Sequence, residues 1–434
     1  MTAKKEERVT TGKLPKGEME TLIESFHTFE RPLFNSLVDE DGFAWWDLVR
    51  YDIQFEILYE RGLRSRATNP QRQGLRPTIS ALRRGAAVAS DLAALPRLLR
   101  REVDAIIVSR RPLEPILKVI EESDTAHFIL GSPEFGEHGS LSIDKYHIDL
   151  LINLVARLLL PSAGLLNHAK RVERDFQEYF DIQMPVYALI EAKYRKHLAA
   201  KRIWSRILSL PASLRRVVFV NDDTMKTLVW LCNQRGIDTT EVQHGYMGSS
   251  HIGFSYPQLD KSLMTMPNRV MITRDTGDIT YPAPLLRFEG AATVTAVPST
   301  GDRDIDVLIG SGPRWGRRTE ELVAALANSG MRVAVKLHPA QTREDLNLDF
   351  EGVQHKPEVF GGKDAFLPIV RRARVYVPVN PGSTTSFEAV ENGCVLVLYQ
   401  PHGAPSTSVV NHLAAANTSD PNEFVACIRD SLDP

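Results

Sequence analysis

The sequence predicts an α/β protein made of two Rossmann-like domains that face one another across a cleft. Three observations predict it. First, short apolar runs that end in polar residues recur along the chain: VDAIIVSRR (103–111), AHFILGSPE (126–134), RRVVFVNDD (215–223), IDVLIGSGPRW (305–315), MRVAVKLHPA (331–340), ARVYVPVNPGSTTSFEAVENG (373–393) and CVLVLYQP (394–401). Longer helical patterns separate them, and such alternation marks a parallel sheet covered by helices. Second, the series restarts after a Gly/Pro/Thr-rich stretch between Tyr281 and Asp304, which implies two sheets rather than one. Third, 434 residues with 43% hydrophobic and 24% charged content suffice for two globular domains, each with its own core.

The elements follow in chain order. Residues 1–20 are polar and carry no apolar run, so they read as a flexible tail, neither a signal peptide nor an anchor. Residues 20–285 form the first domain. It opens on a helix-like aromatic pattern, Trp45, Trp46, Tyr51, Phe55 and Tyr59, most of which is expected in the core. From Arg61 to Arg111 there are 12 arginines against Asp91, Glu102 and Asp104, a local balance of +9 suited to a membrane surface or an acidic glycan. The most apolar run, Leu150 to Leu166, is broken by Asn153, Arg157 and Pro161. It falls short of the roughly 18–20 clean apolar residues of a membrane span and reads as a buried helix. Lys193 to Arg216 holds eight basic residues and no acid, with Ile203, Trp204, Ile207 and Leu208 interleaved. Such a helix is either a peripheral contact with an anionic membrane or a solvated face packed on the core. Residues 286–304 read as a linker and 305–434 as the second domain.

Composition narrows the partners. Basic residues number 52 and acidic ones 54, a formal charge of −2, so no nucleic-acid partner is expected. Cys232, Cys394 and Cys427 are too few and too scattered for a disulfide framework or a zinc site, which fits a reducing, cytoplasmic setting. No GxxxxGK[ST], kinase, GxSxG, HExxH or GxGxxG motif occurs, so the common NTPase, kinase, hydrolase, zincin and dinucleotide-oxidoreductase readings lose support.

In open parallel sheets ligands sit beyond the carboxyl ends of the strands, so the residues closing each apolar run are the candidates. In VYVPVNPGSTTSFEAVENG a buried strand ends at Pro381-Gly382, and Ser383, Thr384 and Thr385 open an amphipathic helix. Its first-turn amides, its dipole and these hydroxyls suit an anion such as phosphate, or the hydroxyls are simply caps. Glu388, one turn in, reaches a ribose hydroxyl or completes a capping box. In VAVKLHPA a strand delivers Lys336 and His338 to its carboxyl end and Pro339 terminates it. That pair would neutralise a leaving phosphate, or His338 is a hydrogen-bonded turn residue. DTTEVQHGYMGSSHIGFSYP is the next strand of the first sheet with its exit loop. Within it His244, between Gln243 and Gly245, is an acid or base, or a structural histidine. Asn221-Asp222-Asp223 closes VVFV: one carboxylate caps the following helix, and the other is available as base or nucleophile at an anomeric carbon. Glu134, at the end of HFILGSPE, is a further candidate acid.

Taken together, EVQHG with HIGFSYP, KLHP and NPGSTTSFEAVENG resemble the GT-B glycosyltransferases that build bacterial capsule and lipopolysaccharide chains, over residues 215–400. The likeness is greatest to the retaining β-Kdo transferases that use CMP-activated sugar, and more distant to bacterial sialyltransferases, whose His-Pro and Ser/Thr motifs bind the CMP group. The resemblance implies a GT-B fold with residues 305–434 as the nucleotide-sugar donor domain. It implies transfer of an acidic sugar, Kdo from CMP-Kdo, to a growing surface glycan. His338 and Pro339 would then hold the phosphate or ribose region, Ser383, Thr384 and Thr385 the phosphate, and Gly310, Ser311 and Gly312 would lie against the nucleotide. A retaining route would use Asp222 or Asp223 as nucleophile, with His244 near the reacting centre. No metal cofactor is expected, because helix dipole and cations do that work. A lipid-linked glycan acceptor would bring residues 193–216 to the inner membrane. Rivals share parts of the pattern: a CDP-polyol phosphotransferase, a CMP-sialic acid-dependent transferase, a non-hydrolysing sugar-nucleotide epimerase, and a non-catalytic glycan- or membrane-binding scaffold.

Overall fold

The computed structural model describes residues 18–60, 103–109, 116–118, 127–131, 141–220, 225–243, 255–257, 259, 264–274, 283–292, 303–312, 316–339, 341–346, 355–380, 383–400 and 413–432. The chain forms two compact units, Ser25–Arg64 with Pro70–Thr293, and a second whose body is Val294–Pro434.

α1 (Glu18–Ser36), which belongs to the first unit from Ser25 onward, leads through a 3-10 turn (Trp45–Leu48) into α2 (Arg50–Glu60). Trp45 and Trp46 are buried, as the aromatic pattern predicts, and Tyr51 is half-buried; the side chains of Phe55 and Tyr59 lie outside the described residues. Seven strands follow: β1 (Ala105–Ser109), β2 (His127–Gly131), β3 (Leu141–Asp144), β4 (Arg216–Phe219), β5 (Asp238–Val242), β6 (Arg269–Arg274) and β7 (Leu285–Ala292). They pair in parallel in the order β3-β2-β1-β4-β5-β6-β7. The helices are α3 (Lys145–Ala156), α4 (Ala163–Phe180), α5 (Val186–Leu208) and α6 (Lys226–Gln234). β1 shows why these strands read as unbroken apolar runs. Ile106 and Val108 pack with Trp204 and Ile207 of α5 and Leu228 of α6, while Ile107 turns to the opposite face with Ile129, Val218 and Val242.

The second unit contains β8 (Ile305–Gly310), β9 (Val333–Lys336), β10 (Glu358–Phe360), β11 (Ala373–Pro378), β12 (Val395–Tyr399) and β13 (Ala416–Thr418), ordered β10-β9-β8-β11-β12-β13 and parallel throughout. Its helices are α7 (Gly316–Ala327), α8 (Phe366–Val370), α9 (Thr385–Glu391) and α10 (Pro421–Leu432). Leu322, Val323, Phe424 and Ile428 of α7 and α10 cover Val307, Val335, Val375 and Val397. On the other face Ile369, Phe387 and Val390 of α8 and α9 cover Leu308, Tyr376 and Leu396. In each unit the first strand is central, with the next two on one side and the later ones on the other. This is the Rossmann order, and the reversal lies between β1 and β4 in one unit and between β8 and β11 in the other. The two Rossmann-like domains expected from the sequence are present.

Three expectations are corrected. Residues 286–292, read as linker, are strand β7, paired with β6; the Gly and Pro density there belongs to an edge strand and its entry. The Leu150–Leu166 run is not a buried helix. It forms the end of α3, a turn and the start of α4, and Leu154, Leu158 and Leu160 are 49%, 83% and 77% exposed. Conversely, Trp204, Ile207 and Leu208, the apolar residues of the basic helix, are buried in the first unit's core as part of α5. Lys193 of α5 pairs with Asp52 at 2.5 Å, Lys201 with Asp41 and Arg195 with Glu191. The apolar side of the helix is therefore packed on the core and its basic side is solvated.

Candidate functional site

The reversal point of the second sheet gathers most of the residues singled out in that half of the sequence. Gly310 stands opposite Lys336 of β9 and Pro378 of β11, so three neighbouring strands end level. The ladder runs one step further: Ser311 N–H donates to Lys336 O at 3.0 Å, and Val379 N–H to Gly310 O at 2.9 Å. Ser311 Oγ lies 3.1 Å from Thr319 Oγ1, which ties the end of β8 to α7.

β11 brings Tyr376 beneath this turn. A Cβ added at Gly310 would lie 2.0 Å from the Tyr376 hydroxyl, so only glycine fits. Tyr376 OH is 2.6 Å from Thr385 Oγ1, which is 2.7 Å from Ser383 Oγ. Burial pushes the Tyr376 phenol above its ordinary value, and it stays protonated. The three hydroxyls form one chain in which either member of each pair can donate, and the half-buried Ser383 stands at its end. These hydroxyls are therefore engaged with one another rather than serving as helix caps, and Thr384 makes no side-chain capping bond. The capping box offered for Glu388 is absent too, because Glu388 lies beyond the third helical position; its backbone N–H approaches Thr384 O at 3.5 Å. α9 has only 7 residues, and its Ser386 and Phe387 amides close onto Ser383 O and Thr384 O. Hydroxyls, more than a long helix dipole, make the donor surface.

The KLHP turn departs from expectation. Lys336 Nζ donates to the carbonyls of Leu337 (2.7 Å), Gly361 (2.9 Å) and Gly362 (3.2 Å). Its ammonium clips a turn and is not presented to a phosphate; burial lowers its pKa from the ordinary lysine value. His338 donates its backbone N–H to Gln341 Oε1 at 3.1 Å and accepts the Gln341 N–H at 2.8 Å. A Cβ at Gly362 would meet His338 O at 2.6 Å, so the Gly361-Gly362 pair buttresses the turn from below. The half-buried His338 and exposed Pro339 are thereby held in place two strands from β11.

Sequence reading missed Arg318, in the first turn of α7 and next to Thr319. Its guanidinium stacks on Tyr399, at the end of β12, with 5.4 Å to the ring centroid. Burial pushes its pKa down to about 10, so it remains a cation. Its signal, the RWGRRTEE run after the Gly310–Gly312 turn, is visible only once the turn is placed at the reversal point.

No family model matches the sequence, and no curated protein matches it. Among solved structures the chain is similar to CalG4, the calicheamicin glycosyltransferase, with 13% identity and a TM-score of 0.45 over 77% of this chain and 89% of the other. It is similar to the UDP-GlcNAc 2-epimerase of Methanocaldococcus jannaschii, with 13% identity and a TM-score of 0.44 over 76% of this chain and 92% of the other. MurG of Acinetobacter baumannii gives 12% identity and a TM-score of 0.41 over 76% and 90%.

In the first unit Glu134, Asp222, Asp223 and His244 lie outside the described residues, as do most of the arginine-rich 61–111 stretch and, in the second unit, Pro381 and Gly382. What is described is the anchoring of the QHG…FSYP segment at both ends. Gln243 Oε1 accepts the Thr273 N–H at 2.9 Å, tying the exit of β5 to β6. At the far end Ser255 O accepts from Arg50 Nη2 at 2.7 Å, and the Tyr256 hydroxyl donates to Asp47 Oδ1 at 3.1 Å. Arg50 also binds buried Glu30 through Nε (2.9 Å) and Nη2 (2.8 Å), and Trp46 Nε1 donates to the same carboxylate at 3.0 Å. Lys226, at the start of α6, donates to Tyr256 OH (2.7 Å) and Thr265 O (2.9 Å) and lies 3.9 Å from Asp47. Two buried acids and two buried bases thus balance one another. Among the described residues no His, Cys, Asp or Glu side chains are grouped to hold a metal ion.

Proposed function

We propose that the protein is a nucleotide-sugar-dependent glycosyltransferase of the GT-B type. The observation that carries this reading is the relay Tyr376–Thr385–Ser383 against the Gly310 turn, at the strand-order reversal where open parallel sheets take their ligands. A glycine turn lets a nucleotide approach the backbone, hydroxyls donate to its phosphate oxygens, and Arg318 supplies positive charge at the same end of the sheet. His338, Pro339 and Glu388 would flank the ribose, with Ser311 and Gly312 along the nucleotide. The donor we propose is a CMP-activated acidic sugar, CMP-Kdo, and the acceptor a growing bacterial surface glycan carried on a lipid. In the retaining form Asp222 or Asp223 attacks the anomeric carbon and CMP leaves. The acceptor hydroxyl then displaces the carboxylate, with Glu134 or His244 taking its proton. No metal cofactor is part of the scheme.

The test is thermal stabilisation by CMP, CDP, UMP, UDP, GDP and ADP in the native chain and in Ser383→Ala, His338→Ala and Arg318→Ala, since a ligand of the folded state raises the midpoint. Selective stabilisation by CMP, diminished in all three variants, is expected. A preference for UDP or GDP would replace the donor while keeping the transferase, and no response to any nucleotide would sink the reading. Phosphorus in the acceptor product would instead indicate polyol-phosphate transfer.

A further inference from the structure

The corner between α3 and α4 of the first unit presents apolar side chains to solvent. Tyr146, Leu150, Leu154 and Leu158 recur every four residues and fall along one side of α3 and its extension. Most of that side is open: Leu150 is half-buried, but Tyr146 is 51% exposed, Leu154 49%, Leu158 83%, and Leu160, in the connection, 77%. The buried residues of α3 are Lys145, Ile148 and Ala156, and Ile148 packs against the sheet. A fixed turn holds the leucines out. Leu158 and Leu159 donate their amides to Val155 O and Ala156 O, Pro161 is buried, and Ser162 Oγ caps α4 by accepting the Leu165 amide at 3.3 Å.

The charges of this corner and the adjoining part of α4 are positive on balance: Arg157, Lys170, Arg171 and Arg174 stand against Glu173, which accepts the Tyr187 amide, and Asp175, which pairs with Arg174. Exposed Arg157 stands among the leucines, and exposed Lys170 and Arg171 continue along α4. The acid within α3, Asp149, is taken up by Lys145 at 2.9 Å. We propose that this corner seats the protein on an anionic lipid bilayer. Leu154, Leu158 and Leu160 enter the apolar boundary while Arg157, Lys170 and Arg171 meet anionic headgroups. Charge selects this occupant over a second copy: packing two such corners about a two-fold axis sets like charges together, whereas an anionic surface neutralises them. Among the described residues no helix is long and apolar enough to cross a membrane, so the seat is superficial. The contact stands independently of the transferase reading.

Flotation of the full chain with phosphatidylcholine vesicles, with and without phosphatidylglycerol, tests it. Binding to the anionic vesicles is expected, weaker on neutral ones and at high salt. The double variant Leu158→Ser, Leu160→Ser should lower partitioning about tenfold or more. Arg157→Glu should lower it too and flatten its salt dependence, while Arg202→Ala with Arg206→Ala, on α5, should leave it unchanged. All these side chains are exposed, and unchanged melting midpoints would verify folding. Absence of binding to anionic vesicles, full binding by the leucine variant, or loss only in the α5 variant would overturn the proposal. A concentration-dependent dimer that the leucine variant dissolves would overturn it as well, by giving the corner to a second copy.

Discussion

Gly310 and Tyr376 show how one missing side chain organises a site. The Tyr376 ring fills the space that a β-carbon would need, and its hydroxyl then starts the relay that ends at Ser383. Gly310→Ala should therefore cost about 1–3 kcal/mol in urea unfolding, the usual penalty for overpacking a core. In a Tyr376→Phe background, where the nearest clashing atom is gone, the same substitution should cost clearly less; equal costs in both backgrounds would refute the contact. From the sequence, Gly310 and Ser383 stood out as punctuation at strand ends. Tyr376 did not, because VYVPV reads as an ordinary buried strand and nothing local says which of its residues carries a hydrogen-bonding tip. Lys336 failed for the opposite reason: a lysine at a strand end looks available, and only the fold brings the Leu337, Gly361 and Gly362 carbonyls to its ammonium.

The element-scale question is what holds the helical cover of the first unit to its loops. Glu30 of α1, Asp47 of the 3-10 turn, Arg50 of α2 and Lys226 of α6 meet at Ser255 and Tyr256. Removing one member leaves an uncompensated buried charge, so Arg50→Met should cost about 3–5 kcal/mol, and adding Glu30→Met should recover part of it. Additive losses in the double variant would show that the pair is not coupled. His27, whose Nε2 lies 3.4 Å from Ser255 Oγ, has its pKa lowered from 6.5 to about 4 by burial and by Arg50. The unfolded chain takes up this proton first, so the contribution is full above pH 6.5 and is lost as pH falls toward 4. The loss is no more than about 3 kcal/mol and is reduced by residual solvent contact. Urea midpoints measured across that window should fall less in His27→Gln than in the native chain, leaving the share of His197, which burial also pushes down. Partners 16 to 218 residues apart leave no local pattern, and that is why this cluster was invisible in the sequence.

Across the whole molecule, both sheets were legible because their central strands are covered on two faces and so read as runs of valine, isoleucine and leucine. β3, β10 and β13 were not, being edge or near-edge strands of 3 or 4 residues with too few apolar positions to register. Exposure was the other blind spot: Leu154, Leu158 and Leu160 are exposed while Leu208 of α5, the same residue type, is buried, decided by whether a sheet lies opposite. On the proposed placement of the nucleotide in the second unit, CMP should slow hydrogen exchange at the carboxyl ends of β8 and β11 and leave β1 and β4 unchanged. Protection confined to the first unit would place the nucleotide elsewhere.

The pairing of positions 310 and 376 also constrains history. A descendant lineage that enlarges residue 310 while the Tyr376 hydroxyl remains passes through an intermediate with a collision at 2.0 Å. Losing the hydroxyl first is the less costly route, so the two substitutions have a favoured order and should be inherited as a linked pair.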